Sequence, residues 1–417
     1  MEGLDYNVAL AVFFPWYVAA EVPSNMMMKK TRPSLWLTVI MSAWGVVMTL
    51  MGLVNNYPGL LVARMALGLA EGGLFPGVTF YITMWYRRHE CGYRMALFFS
   101  AATLAGAFGG LLARGISEMD GIGGKPGWAW IFILEGLATI CVAFAAYWVI
   151  NDYPETAKFL TQEEKDEVHR RLKLDRTSLA DEFNMKYFFH AIQDWKIYIH
   201  MLITIGIYTP LYSFSLFLPT IVSAMGHTNN KAQLMTVPPY VAACITTILG
   251  GWLADRHKQR GIYMIFFCAL SIVGFIMLIS TDQPAIQYLG TFLAAMGIYP
   301  NVPMGVAWNG NNIGGSTKRG VGIAMHVGFG NLGGVIAAFT YRAKEKPRYL
   351  SGHGTLLGTI TMSMCLCIFM TLYLRRENAR RNKLLAEQGR TLADYTNAEK
   401  EAEREKGDYA SFFRYTI

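Results

Sequence analysis

GLLVARMALGLAEGGLFPGVTFYITMW, residues 59–85, is the run on which the reading of this chain turns. It is continuous and apolar except for Arg64 and Glu71. A helix rises 1.5 Å per residue, so about 20 such residues cross a hydrocarbon layer of ~30 Å. The run is therefore long enough to span a bilayer. Arg64, Gly68 and Glu71 stand at i, i+4 and i+7, which puts two ionisable groups and a glycine gap on one helical face. A charge at bilayer depth costs several kcal/mol unless it is paired or hydrated, so such residues usually face a bundle interior or a water-filled cavity.

Working outward, ten further apolar runs of spanning length follow the same rule. The eleven cover residues 6–28, 35–54, 59–85, 95–117, 128–150, 197–223, 233–254, 261–280, 284–308, 320–341 and 354–374. Overall the chain is 53% hydrophobic and 16% charged, against about 45–50% and about 25% in soluble domains. The reading is an all-α polytopic membrane protein, not a water-soluble fold.

The net charge of +8 sits in short clusters between the runs: Lys29, Lys30 and Arg32; Arg87, Arg88 and Arg94; Arg256, Lys258 and Arg260; Lys318 and Arg319; Arg375 and Arg376. That alternation marks cytoplasmic loops by the positive-inside rule and argues against a nucleic-acid partner. One outer loop, from Arg342 to Arg348, carries four basic residues and departs from the pattern. The six cysteines are scattered without disulfide or metal spacing, and no phosphate loop, zinc motif or nucleophile elbow is found. The expectation is no metal, no cofactor and no enzyme activity.

The layout divides into a first helix bundle (1–150), a central cytoplasmic loop (151–196), a six-helix bundle (197–374) and a cytoplasmic tail (375–417). In the loop, Thr161 followed by Glu164 has capping-box spacing and predicts a short charged helix. The tail mixes both signs densely and reads as a solvated helix or disorder.

Candidate chemistry starts with Arg64, whose planar fork suits a carboxylate, and Glu71, a carboxyl able to carry a proton. The alternatives are that Arg64 snorkels to the outer interface and Glu71 makes a structural hydrogen bond. Asp255 and Arg256, where a span ends in a cytoplasmic loop, suit a gating latch or plain loop solvation. Trp308 offers a stacking surface, and Asn331 is a polar group among Gly328, Gly330, Gly333 and Gly334, with helix packing the alternative for both. Tyr17 is a hydroxyl in an apolar helix, either lining a cavity or packed, and His326 reads as packed. Asn309, Asn311 and Asn312 are expected to cap and turn the chain at the cytoplasmic rim.

RMALGLAEGGLFPG (64–77), DYPETAKFLTQEEK (152–165), GGWLADRHKQR (250–260), WNGNNIGGSTKRG (308–320) and GNLGG (330–334) resemble the major facilitator superfamily, specifically its anion:cation symporter family. Among its members the chain is most similar to the fungal allantoate permease group, whose transporters carry allantoate, nicotinate, pantothenate and biotin. The resemblance implies the major facilitator fold, two six-helix halves around a substrate cavity, and alternating access. Five plus six spans are counted where twelve are expected, so the first helix is read as missing, and with it the acidic and basic pair of the family pattern. The resemblance also implies that Arg64 binds a small organic anion, with Tyr17, Trp308 and Asn331 lining the cavity, and that Glu71 takes part in proton coupling. A monomer in the plasma membrane is expected. A nutrient sensor of the same fold, or an inactive truncated transporter, is the alternative.

Overall fold

In hydrocarbon every backbone polar group must be satisfied within its own segment, which leaves helices as the solution for single apolar runs. The computed structural model describes residues 5–176, 185–226, 229–341, 345 and 348–417. The first bundle holds α1 (Asp5–Ala11), α2 (Phe13–Lys30), α3 (Pro33–Met51), α4 (Tyr57–Glu71), α5 (Leu74–Trp85), α6 (Cys91–Ser117) and α7 (Gly127–Val149). Two short helices, α8 (Gln162–Arg176) and α9 (Met185–Ile192), connect it to the second bundle. The second bundle holds α10 (Trp195–Ala224), α11 (Asn229–His257), α12 (Gly261–Ser280), α13 (Pro284–Asn311), α14 (Ser316–Asn331), α15 (Gly333–Ala338) and α16 (Leu350–Glu387), and α17 (Asn397–Ala402) follows in the tail.

Nine segments among the described residues are long and apolar enough to cross a membrane, α4 with α5 counting as one. The other two expected spans are also helices, but polar ones. α2 buries Glu21, Ser24 and Asn25, and α13 buries Asn301, Asn309 and Asn311. Most of the basic outer loop between Arg342 and Arg348 lies outside the described residues.

The long run of residues 59–85 breaks once, between α4 and α5. Gly73 has φ +100°, a left-handed conformation that favours glycine, and a Cβ there would lie 2.1 Å from Ser24 Oγ. The glycine gap beside Arg64 is filled by protein: a Cβ on Gly68 would meet Phe13 O at 2.4 Å. Gly68 therefore lets α4 lie on the backbone of α2.

The bundles meet along two seams, α6 against α11 and α2 against α14. α13 and α14 are buried nearly all round and form the centre of the second bundle. In the connector, the Thr161–Glu164 capping box is present, with Thr161 N–H donating to Glu164 Oε2 at 2.9 Å.

The tail differs from its expected solvated state. α16 continues past Leu374 to Glu387, and the chain then folds back so that Phe412, Phe413 and Tyr415 are buried. Arg381 ties the return, donating from Nη1 to the carbonyls of Asp408, Ala410 and Phe413. The dense charges conceal this because they concentrate before residue 407, while the anchoring residues are the last aromatics.

Candidate functional site

Between the two bundles lies a cavity of about 260 Å³. Tyr17 of α2 and Glu71 of α4 line it from one side, with Tyr208 and Tyr212 of α10, Tyr299 of α13 and Asn331 of α14 from the other. Phe75 and Phe99 complete an aromatic wall. Such a space takes a small ligand that offers one flat apolar face and a few acceptors.

The polar groups are organised by Asn331. Its Oδ1 accepts the Tyr212 hydroxyl at 2.5 Å, and its Nδ2 donates to Glu21 Oε1 at 2.8 Å. Glu21 is 0% exposed, and its Oε2 makes no hydrogen bond among the described residues. Ser215 and Tyr299 share a hydrogen bond at 3.2 Å on the far wall. The Tyr208 hydroxyl is buried without a partner among the described residues.

Of the residues the sequence singles out, Tyr17, Glu71 and Asn331 are brought together here. Arg64 lies two turns along α4 from Glu71, about 10 Å by helix rise, and does not line the cavity. It is half-buried, and its Nε has no hydrogen-bond partner among the described residues.

Trp308 lies elsewhere. It is 0% exposed, meets His200 edge-to-face at 5.0 Å between ring centres, and donates its Nε1–H to Thr416 O at 2.9 Å. The returning tail covers it, so the ring is a packing surface at the end of the bundle that carries the basic loops. His326 packs there too, 2.8 Å from Thr204 Oγ1.

Asp255 and Arg256 separate. Asp255 accepts the Tyr93 N–H of α6 at 2.7 Å and pairs with Arg260 at 2.6 Å, while Arg260 also donates to Arg88 O at 2.9 Å. This joins α11 to α6 across the seam. Arg256 instead lies over the Trp252 ring, 5.2 Å from its centre. Nearby, Asn311 donates to Arg88 O at 2.7 Å, and Asn312 exchanges hydrogen bonds with Thr416 at 3.0 Å and 2.7 Å.

Sequence reasoning passed over Glu21, Tyr208, Tyr212 and Tyr299. An acid inside FFPWYVAAEVPSN is a usable signal, and so is the i, i+4 spacing of Tyr208 and Tyr212. It also passed over a buried ionic cluster under the second bundle. There Lys318 Nζ lies 2.6 Å from both Asp194 and Asp408, and Lys196 Nζ lies 3.0 Å and 2.9 Å from the same two carboxylates. The Lys196 contacts are ion pairs without hydrogen-bond alignment, and the ammonium also sits 4.0 Å from the Tyr409 ring centre.

Comparison with known proteins agrees with this architecture. Residues 2–338 match the family profile described as Major Facilitator Superfamily. The fungal MFS transporter prlL is 36% identical over 380 residues, covering 89% of this chain and 76% of that protein. The high-affinity nicotinic acid transporter of Saccharomyces cerevisiae is 30% identical over 387 residues, covering 92% and 72%. Among solved structures, the proton:xylose symporter XylE superposes with a TM-score of 0.61 at 15% identity, covering 89% of this chain and 85% of that one. The human organic anion transporter MFSD10 gives 0.61 at 11% identity, covering 87% and 83%; at such identity these two speak for the fold alone. With nine segments long and apolar enough to cross a membrane among the described residues, a cavity between two bundles, and transporters as relatives along most of its length, the chain belongs to the major facilitator superfamily of membrane transporters.

Proposed function

We propose that the chain is a proton-coupled carrier of a small organic anion, of the fungal allantoate permease group, working by alternating access in the plasma membrane. The observation that carries this reading is the cavity between the bundles, which holds a carboxyl, Glu71, beside four tyrosines and an asparagine. Phenol and amide donors suit a carboxylate acceptor, and an aromatic wall suits a ring or short chain.

Arg64, two turns outside the cavity, is assigned to the anion on its way in: its Nε has no hydrogen-bond partner among the described residues, and it lies on the same helical face as Glu71. Tyr17 and Asn331 position the ligand within the cavity. Glu71 takes up a proton during one half of the cycle, so that charge is balanced as the empty carrier returns. Asp255 serves as the gate on the basic-loop side, since its bond to the Tyr93 amide must break if α6 and α11 part there. Arg256 borders that gate, and Trp308 keeps the packing role described above. The nicotinic acid carrier among the relatives favours an aromatic monocarboxylate such as nicotinate.

Labelled nicotinate uptake into proteoliposomes holding the full chain tests this. An inward proton gradient is expected to drive uptake. Arg64→Ala is expected to lower it about tenfold to a hundredfold, the loss of one charge-assisted pair of about 1.5–3 kcal/mol. Undiminished uptake by that variant, or no flux of any small carboxylate, would overturn the reading.

A further inference from the structure

We propose that Glu21 is a second protonation site of the carrier, whose neutral form ties the two bundles together through Asn331 and whose ionised form lets them part. The proposal deepens the proton coupling assigned above and rests on that reading for its transport consequence only.

The argument begins with the hydrogen-bond count. A carboxylate offers acceptors on both oxygens, and buried ones are normally met by donors or cations. Glu21 is fully buried on α2, yet among the described residues only Oε1 has a donor, the Asn331 amide of the opposite bundle. Oε2 faces the backbone of Gly328, where a Cβ would lie 2.4 Å away. Nothing there compensates a negative charge, whereas a neutral acid needs far less. This conformation therefore holds the carboxylic acid.

The neighbours agree. The titratable groups facing Glu21 are Tyr17 on its own helix and Tyr208 and Tyr212 on α10, and Glu71 shares Tyr17 and Tyr212 with it. From α14 it meets Asn331 and Gly328, which do not titrate. Among the described residues no cation pairs with it.

Asn331 makes the site responsive to the cavity. Because its Oδ1 accepts the Tyr212 hydroxyl and its Nδ2 donates to Glu21, the chain of donors runs one way, from Tyr212 through Asn331 to Glu21. A phenol has one proton to give. A ligand carboxylate that accepts the Tyr212 O–H hydrogen bond in place of Asn331 frees its Oδ1, and the amide can then turn away from Glu21. Ionisation breaks the O–H bond at Oε2, leaves the electron pair on that oxygen and passes the proton to solvent in the opening seam. A second hydrogen bond along this seam, Asn25 Nδ2 to Gly320 O at 3.2 Å, is uncharged. Glu21 is thus the joint in that seam whose strength depends on a proton.

Two measurements on the full chain test the proposal. Infrared difference spectra of wild type against Glu21→Gln, taken between about pH 5 and about pH 8, are expected to show a protonated-carboxyl band belonging to Glu21, without any ligand present. Its absence across that range would overturn the site. In proteoliposomes, a gradient of about one pH unit should let wild type accumulate nicotinate up to about tenfold per coupled proton. Glu21→Gln, which holds the joint in its neutral form, should slow exchange across the membrane and lower that ratio by up to about tenfold, the share of one coupled proton. Accumulation equal to wild type would overturn the coupling role. If wild type carries no nicotinate, the substrate assignment fails, and the infrared result still decides the protonation site.

Discussion

Two of the buried groups of ionisable residues among the described residues are built in opposite ways. Beneath the second bundle, two lysines and two aspartates alternate at ion-pair distance, so that the cluster of Lys196, Lys318, Asp194 and Asp408 is neutral and closed. Around the cavity and two turns beyond it on α4, Glu21, Glu71 and Arg64 make no ion pair with one another among the described residues, and Arg64 Nε and Glu21 Oε2 have no hydrogen-bond partner there. A closed cluster offsets its own desolvation and holds the tail against α10 and α14. An open one carries that cost uncompensated, which a protein tolerates where protons or ligands come and go. Completeness of pairing, rather than burial, separates the charges that hold this structure together from those assigned to its transport.

The largest effect expected from this contrast is on stability. Asp408→Ala leaves two buried ammonium groups to share the single carboxylate of Asp194 and should cost about 3–5 kcal/mol, read as a fall in melting temperature of the solubilised full chain. Arg64→Ala in the same assay should cost under about 1 kcal/mol, because no pair is broken. Equal shifts in the two variants would break the comparison.

Acid sharpens it further. Burial pushes the Asp408 carboxyl up, but Lys318 and Lys196 outweigh that and hold it below the ordinary aspartate value. A depressed folded value means that the stabilisation is complete above the unfolded aspartate value of about 3.9 and is lost as pH falls through the folded one. Thermal melts of wild type should therefore stay level above about pH 5 and drop below about pH 4, with a shallower drop in Asp408→Asn. A wild-type profile as shallow as that of the variant would remove Asp408 from the account.

The smallest effect belongs to Trp308. Trp308→Phe keeps most of the ring but loses the bond to Thr416 O, at a cost of about 0.5–1.5 kcal/mol, and nicotinate uptake should continue. A loss of uptake as large as that of Arg64→Ala would return Trp308 to the cavity-lining role that the sequence suggested.

These outcomes track what the sequence can and cannot convey. The spans are legible because each is a local property, a run of apolar residues at the length of a bilayer. Even polar α13, with Asn301 and two internal prolines, keeps enough of that signal to be found. Glu71 is legible because the helical period places it on a face with Arg64. Glu21 is legible only as an acid inside an apolar run, since its partner Asn331 is 310 positions away. The closed cluster is hidden for the same reason: Asp194, Lys318 and Asp408 come from three distant segments, and each alone looks like an ordinary solvated charge. Trp308 shows the converse error, an aromatic read as a ligand surface because the residues that cover it come at the far end of the chain.

The length of α16 has a practical consequence. Its 38 residues extend about 57 Å, nearly twice the thickness of the hydrocarbon layer, and the tail is strapped to the protruding part through Arg381. A rigid rod fixed in the second bundle and standing clear of the lipid works as a pointer: a small tilt of its base sweeps the tip sideways by more. A fluorophore on exposed Lys383, paired with one in the short helix at residues 162–176, would turn each swing of the bundle into a change of light.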